Sequence, residues 1–127
     1  MTCLRLTRRH VLMAATASLL PGRAGAGQGG VAVIDWGLFE TCLALGLLPS
    51  AATELRQFRQ IAVEPQVPDS VADLGLRGSP NIELLHMLAP ELILISGFYE
   101  YQRPTLERIA PVMALPIYEA GKPPYEL

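Results

Sequence analysis

The segment PELILISG, residues 90–97, decides the fold class of this sequence. It is an aliphatic run without the alternating polar residues of a half-exposed strand, a pattern typical of a strand buried on both faces of a parallel sheet. The run ends abruptly at Ser96 and Gly97, where a turn is expected. Burial on both faces requires helices on both sides of the sheet, so the segment predicts an α/β protein.

The flanking sequence repeats this pattern, with short apolar runs followed by segments of helical periodicity. Further strands are predicted at residues 31–35, 70–75 and 112–115, and helices at residues 37–46, 80–89 and 104–110. Such alternation is typical of a mostly parallel sheet with right-handed crossovers.

Single residues set the expected ends of these elements. Gly46 is predicted to end the first helix in a left-handed conformation. Ser79 is predicted to cap the second helix, with Pro80 at its first position. Residues 50–70 contain several prolines and are predicted to form loop and short extended pieces.

The composition is that of a globular chain and excludes one class of partner. The 127 residues are 50% hydrophobic and 17% charged, with a net charge of −2. From residue 27 onward there are six basic residues against twelve acidic ones. Binding to a phosphate backbone needs clustered cations, so nucleic acid is not an expected partner.

Residues 1–26 have the organisation of an export signal, with a basic start, an apolar run at residues 11–20 and a small-residue cleavage pattern ending at Ala26. The run is too short to cross a bilayer. Arg8 and Arg9 indicate a twin-arginine signal, although an ordinary secretory signal with chance arginines is the alternative. Either signal predicts an exported protein whose domain comprises residues 27–127.

Cysteine and histidine usage argues against a disulfide and a resident metal. Cys42 is the one cysteine beyond the signal, and it lies on the apolar stripe of the first helix, so we expect it in the core. His86 is expected on the solvated side of the second helix. Neither residue belongs to a metal-ligand spacing, so no metal site is predicted.

Three segments follow predicted strands and should meet at one edge of the sheet, because the carboxyl ends of parallel strands lie together. They are residues 35–36, 76–79 and 98–101. Open parallel sheets bind their ligands at this edge, so we take these segments as the candidate binding site.

The candidate ligand-binding residues are Arg77, Tyr99, Trp36 and Tyr101. Arginine offers fixed donors to carboxylate-like or hydroxamate-like oxygens, tyrosine adds hydroxyl donors, and aromatic faces cover apolar parts of a ligand. Other interpretations stay open: Arg77 could be solvated or paired with Asp73, the tyrosines could only pack the loop, and Trp36 could belong to the core. A nucleophile with an adjacent base is missing, so the sequence predicts a binding protein with no catalytic residues.

Three quoted stretches closely resemble one family. They are PDSVADLGLRGSPNIELLHMLAPELILISGFY at residues 68–99, RIAP at residues 108–111 and LALGLLP at residues 43–49. They resemble the periplasmic ferric-hydroxamate (ferrichrome) binding proteins of ABC-type siderophore uptake, over nearly all of residues 31–127. The resemblance implies a Rossmann-like N-terminal lobe of a two-lobed fold with a long connecting helix.

The resemblance also implies a function. A monomeric periplasmic protein would bind a ferric hydroxamate siderophore and deliver it to an inner-membrane ABC permease, with iron present only as part of the siderophore. By position in the motif, Arg77 and Tyr99 would donate hydrogen bonds to the iron-bound hydroxamate oxygens. A cleft tryptophan of some members falls near Ile61, so aromatic packing is not expected there. Trp36 resembles another family tryptophan.

Charge supports a hydroxamate ligand independently. A ferric trihydroxamate is roughly neutral, so one arginine among acids such as Glu64 and Asp73 suffices, whereas an anionic tricatecholate would favour several cations. Glu54 and Glu107 are expected on a solvated face.

Two alternatives remain at this stage. The sequence ends at Leu127, about where the family's connecting helix begins, so we expect a truncated chain that lacks the second lobe. It could be a one-lobed remnant without ligand binding, or the ligand could be another iron chelate, haem or cobalamin. A chelatase-like enzyme is disfavoured, because only Asp35 and Glu100 are near the strand ends.

Overall fold

The structure is a computed structural model that describes residues 29–62 and 64–118. The expected signal, residues 1–26, lies outside the described residues, so its cleavage and the domain division after Ala26 stay predictions. Within the described ranges, no helix is both long enough and apolar enough to cross a membrane.

A five-stranded parallel sheet forms the centre of the described chain, which confirms the predicted α/β class. Its strands, in spatial order, are β3 (Ala72–Asp73), β2 (Ala51–Ala52), β1 (Val31–Val33), β6 (Leu92–Ser96) and β7 (Val112–Leu115). The central strand β1 pairs with β2 on one side and with β6 on the other. The aliphatic run of β6 is buried as its composition predicts, with Ile93 and Ile95 fully inaccessible.

Helices cover both faces of this sheet. They are α1 (Trp36–Ala44), α2 (Leu55–Ile61), α3 (Ile82–Leu88) and the short α4 (Arg103–Leu106). One core cluster packs α1 and α2 against the sheet through Phe39 and Phe58, whose rings meet edge to face at 5.0 Å. A second cluster, on the other face, includes Leu85 of α3 and Leu106 of α4.

Several predicted details are confirmed. Gly46 follows α1 with a φ of 76°, and Cys42 is buried in the core, where burial raises the pKa of its thiol. His86 is exposed on α3, as predicted.

Other details of the sequence prediction are wrong. Residues 50–70 were expected to form loop and short extended pieces, and they do contain the short strand β2, but they also contain the helix α2, which was not predicted. The second helix starts at Ile82 with Asn81 as its cap, because Ser79 and Pro80 form strand β5, which pairs with β4 (Gly75–Leu76) in a small antiparallel hairpin. The third helix is shorter than predicted, because α4 ends at Leu106 and residues 107–110 form turns and a bend. A 3₁₀ helix that was not predicted, Gly97–Gln102, precedes it.

Candidate functional site

The three segments predicted to meet do follow strands of the same parallel sheet. Residues 35–36 follow β1, the hairpin with Arg77 follows β3, and the 3₁₀ helix follows β6. The structure adds a fourth segment, Thr53 and Glu54, between β2 and α2. Because all these strands are parallel, their carboxyl ends lie along one edge of the sheet.

Asp35 lies at this edge, and its carboxylate accepts hydrogen bonds from several elements. Its buried carboxylate accepts backbone N–H bonds from Gly37 at 2.8 Å and Leu38 at 3.3 Å, and so caps α1. The hydroxyls of Ser96, at 2.9 Å, and Tyr118, at 3.0 Å, donate to the same carboxylate. Asp35 therefore acts as a structural acceptor that joins β1, β6 and the segment after β7.

Trp36 is half-buried and fixed on two sides. Its indole Nε1 donates to the carbonyl of Thr53 at 3.2 Å, and its ring meets Phe58 edge to face at 5.6 Å. The guanidinium carbon of Arg77 lies 4.6 Å from the centroid of the indole ring. This distance is within the range of cation–π attraction. Trp36 therefore stabilises the position of the Arg77 guanidinium and also contacts the core.

Arg77 forms an ion pair that the sequence analysis missed. Its Nε lies 2.9 Å from Oε2 of Glu54, and its backbone N–H donates to Oε1 of the same carboxylate at 3.3 Å. The expected alternative partner, Asp73, accepts instead from the backbone N–H groups of Arg56 and Gly75. The Arg77 side chain remains 34% exposed, which leaves part of it accessible to a ligand.

Glu54 is not the solvated surface acid that the sequence suggested. Its side chain is only 15% exposed. Its backbone adopts a left-handed conformation, with a φ of 52°, directly before α2. This geometry depends on a helix that the sequence did not predict, so no sequence signal identified the pair with Arg77.

Tyr99 is half-buried on the 3₁₀ helix, at the same edge of the sheet as Arg77. Burial raises the pKa of the Tyr99 phenol above its usual range. The positive charge of Arg77 opposes this shift, while the carboxylates of Asp35 and Glu54 add to it. A tyrosine phenol is neutral and can donate a hydrogen bond at neutral pH, and a raised pKa widens the pH range in which it does so. We call Trp36, Glu54, Arg77 and Tyr99 the Arg77 cluster.

Tyr101 lies against the Arg77 loop and is exposed. Its hydroxyl donates to the carbonyl of Gly78 at 3.4 Å and accepts from Nε2 of Gln102 at 3.0 Å. Nε2 of Gln102 also donates to the carbonyl of Arg77 at 2.7 Å. Gln102 is buried, an uncommon state for glutamine, and the sequence held no signal for its role. These two side chains fix the backbone from which Arg77 projects.

An aromatic surface adjoins the cluster on the side of β7. The rings of Phe98 and Tyr118 lie with centroids 5.2 Å apart, and both side chains are exposed. Together with Gly97 and Pro116 they line a shallow cavity of about 290 Å³. Tyr118 was missed by the sequence analysis, although it follows the last predicted strand and could have been included among the residues at strand ends.

Metal ligands are not grouped in the described ranges. Residues 29–62 and 64–118 contain no set of three histidine, cysteine or carboxylate side chains placed to hold an ion. The donors at the strand ends are a guanidinium and phenols, which suit oxygen atoms of a ligand more than a bare cation.

Comparisons with known proteins place the chain in a class. No family model matches the sequence. The iron(3+)-hydroxamate-binding protein FhuD of Escherichia coli (strain K12) is 38% identical over 81 residues, which are 64% of this chain and 27% of that protein. Siderophore-binding FhuD of Vibrio cholerae, solved with Fe3+-Desferal, is 43% identical with a TM-score of 0.65, over 69% of this chain and 33% of that one.

A more distant solved structure has the same fold. The petrobactin-binding protein YclQ of Bacillus subtilis is 27% identical with a TM-score of 0.56, over 68% of this chain and 30% of that one. The chain is thus homologous to siderophore-binding proteins. Within that class it is similar to FhuD, and it spans about a quarter to a third of the length of the relatives it matches.

Proposed function

We propose that this chain is the N-terminal lobe of an extracytoplasmic solute-binding protein that binds a ferric hydroxamate siderophore and delivers it to an ABC permease for iron uptake. Homology to two FhuD proteins supports the ligand class. The observation on which the proposal depends is the Arg77 guanidinium, held over Trp36 at the strand ends with part of its side chain exposed.

Each member of the cluster has a distinct task in this proposal. Nε of Arg77 is engaged by Glu54, so the terminal nitrogens of Arg77 donate to the hydroxamate oxygens that bind iron. The neutral phenol of Tyr99 donates a second hydrogen bond. Trp36 orients Arg77 from below, and exposed Tyr101 contacts the outer part of the ligand while it braces the loop.

The remaining parts of the proposal follow from the ligand. Iron arrives already chelated, so the protein needs no resident cofactor and catalyses no reaction, in line with relatives that are named as binding proteins. The protein acts as a monomer in the periplasm, after export by the twin-arginine route, and its partner is an inner-membrane permease.

Fluorescence of Trp36 tests the proposal directly, because it is the single tryptophan of the sequence. Titration with ferrichrome or Fe3+-Desferal is expected to quench its emission saturably, after correction against free tryptophan. Arg77→Ala should weaken binding by about tenfold to a hundredfold, since a hydrogen bond from a charged donor contributes about 1.5–3 kcal/mol. Arg108→Ala, which removes an exposed arginine after α4, is the matched control and should leave the affinity unchanged.

Two outcomes would contradict this function. Absence of any saturable response would favour a one-lobed remnant without ligand binding, a reading consistent with the short span of the match. Saturation by haem, cobalamin or a non-hydroxamate iron chelate, with none by hydroxamates, would keep the transport class and reject the ligand.

A further inference from the structure

Glu54 contacts Arg77 in two places at once. One carboxylate oxygen lies 2.9 Å from Nε of the side chain, and the other accepts the backbone N–H at 3.3 Å. The backbone N–H of Glu54 in turn donates to the carbonyl of Gly75 at 2.7 Å, in the hairpin that presents Arg77. Glu54 therefore ties the loop through its hydrogen bonds and pairs its charge with the guanidinium, although the 2.9 Å contact at Oε2 is an ion pair without hydrogen-bond geometry.

The charges around the candidate ligand position do not favour an anion. The ionic groups whose charges reach Tyr99 are one cation, Arg77, and two carboxylates, Asp35 and Glu54. Glu54 is largely buried and Asp35 almost entirely so, and water screens such carboxylates less than exposed ones. The ion pair offsets the positive charge of Arg77 but leaves its terminal donors usable.

We propose that Glu54 is a positioning and specificity-determining residue, which cancels the charge of Arg77 so that the site accepts ferric chelates of little net charge and rejects anionic ones. The inference rests on the proposed function and deepens it. A ferric trihydroxamate is neutral, because three hydroxamate anions balance iron(III), and it needs hydrogen-bond donors without excess positive charge. A ferric tricatecholate is strongly anionic and meets the two carboxylates unfavourably.

The ligand-free protein provides the first test, through collisional quenching of Trp36 by an anion and by a cation. Glu54→Gln keeps the size of the side chain and removes its charge. Iodide quenching is expected to rise by about twofold, because one negative charge beside the indole is gone, and caesium quenching is expected to fall. Simple loosening of the loop would instead raise both.

Two variants control this measurement. Glu91→Gln removes an exposed carboxylate directly before β6, at the opposite edge of the sheet from Trp36, and should change neither quenching constant. Glu54→Asp retains the charge, and aspartate tolerates the left-handed backbone at this position, so wild-type quenching is expected. If Glu54→Gln changes iodide quenching no more than Glu91→Gln does, or if both quenchers become more effective, the charge-cancelling role is wrong.

The second test compares two probes of different net charge, neutral ferrichrome and the anionic ferric complex of the tricatecholate enterobactin. Glu54→Gln should shift the ratio of their dissociation constants about tenfold toward the catecholate, and Glu54→Asp should restore the wild-type ratio. An unchanged ratio in a variant that still binds ferrichrome overturns the role of Glu54 and leaves the proposed function intact. A wild-type protein that binds neither probe contradicts the proposed function itself, and the ligand preference with it.

Discussion

The hydroxyl of Ser96 donates a 2.9 Å hydrogen bond to Oδ2 of Asp35, and this bond joins the carboxyl ends of the two central strands, β1 and β6. Ser96 is fully inaccessible and Asp35 is 3% exposed. A buried carboxylate needs such donors, because burial without them is unfavourable by several kcal/mol. The candidate site is thus built over a pre-formed polar junction.

We expect Asp35→Asn to destabilise the chain by about 1.5–3 kcal/mol, because an amide cannot accept all the hydrogen bonds that the carboxylate accepts. Urea unfolding followed by circular dichroism measures this change. Asp69→Asn is the control, since Asp69 is fully exposed at 3.9 Å from Arg59, and it should change the free energy of unfolding by at most about 0.5 kcal/mol. Equal effects of the two substitutions would contradict the role of Asp35.

Gly75 has a φ of 77° at the start of the hairpin that presents Arg77. An added Cβ would meet nothing within 4 Å, so the backbone conformation alone opposes substitution. Gly75→Ala should therefore destabilise the chain by about 1–2 kcal/mol. A Cβ on Gly97 also has open space, but that glycine lacks the positive φ. Gly97→Ala should thus leave the urea midpoint near the wild-type value, and a matching loss in both variants would refute the conformational explanation.

Phe39 is fully buried between α1 and the sheet, in contact with Phe58. Phe39→Ala leaves a cavity there and should reduce the free energy of unfolding by about 3–5 kcal/mol. The same substitution at Phe98, which is 68% exposed, is expected to stay within about 1 kcal/mol of wild type. Thermal unfolding of both variants distinguishes a core position from a surface position.

Tyr99 is expected to ionise above the usual phenol pKa of about 10. Since the folded-state pKa is raised, the stability contributed by the neutral phenol is complete below that usual value and is lost as pH rises through the folded-state pKa. The difference in phenolate absorbance between wild type and Tyr99→Phe, titrated in buffer and in urea, isolates this group. A midpoint in buffer at or below the midpoint in urea would contradict the burial of Tyr99.

The regular part of the fold was predictable because its signals are local. The aliphatic run of β6 and the apolar stripe of α1 identify themselves by composition and period alone. Helix α2 was missed because the prolines of the following loop suggested irregular structure throughout residues 50–70. The Ser79–Pro80 pair looked like a helix start, yet pairing with β4 places it in a strand.

The candidate site was predictable only in part. Their positions after predicted strand ends and in the family motif identified Arg77 and Tyr99 as candidates. Both lie at the edge of the sheet where the carboxyl ends of the strands lie. The partners of Arg77 were not predictable, because Glu54 and Gln102 are distant in sequence and reach it only through the left-handed turn before α2 and the 3₁₀ helix. Such contacts depend on tertiary geometry, which composition and periodicity do not encode.

The pairing of β1 has a kinetic consequence. Its neighbour β6 begins far along the chain, with Val31 opposite Leu92. Non-local parallel pairing forms slowly, because the intervening chain must first lose much of its freedom. The apolar first strand therefore stays without one of its two neighbours until residues 92–94 have left the ribosome. Early in synthesis this segment is available to chaperones.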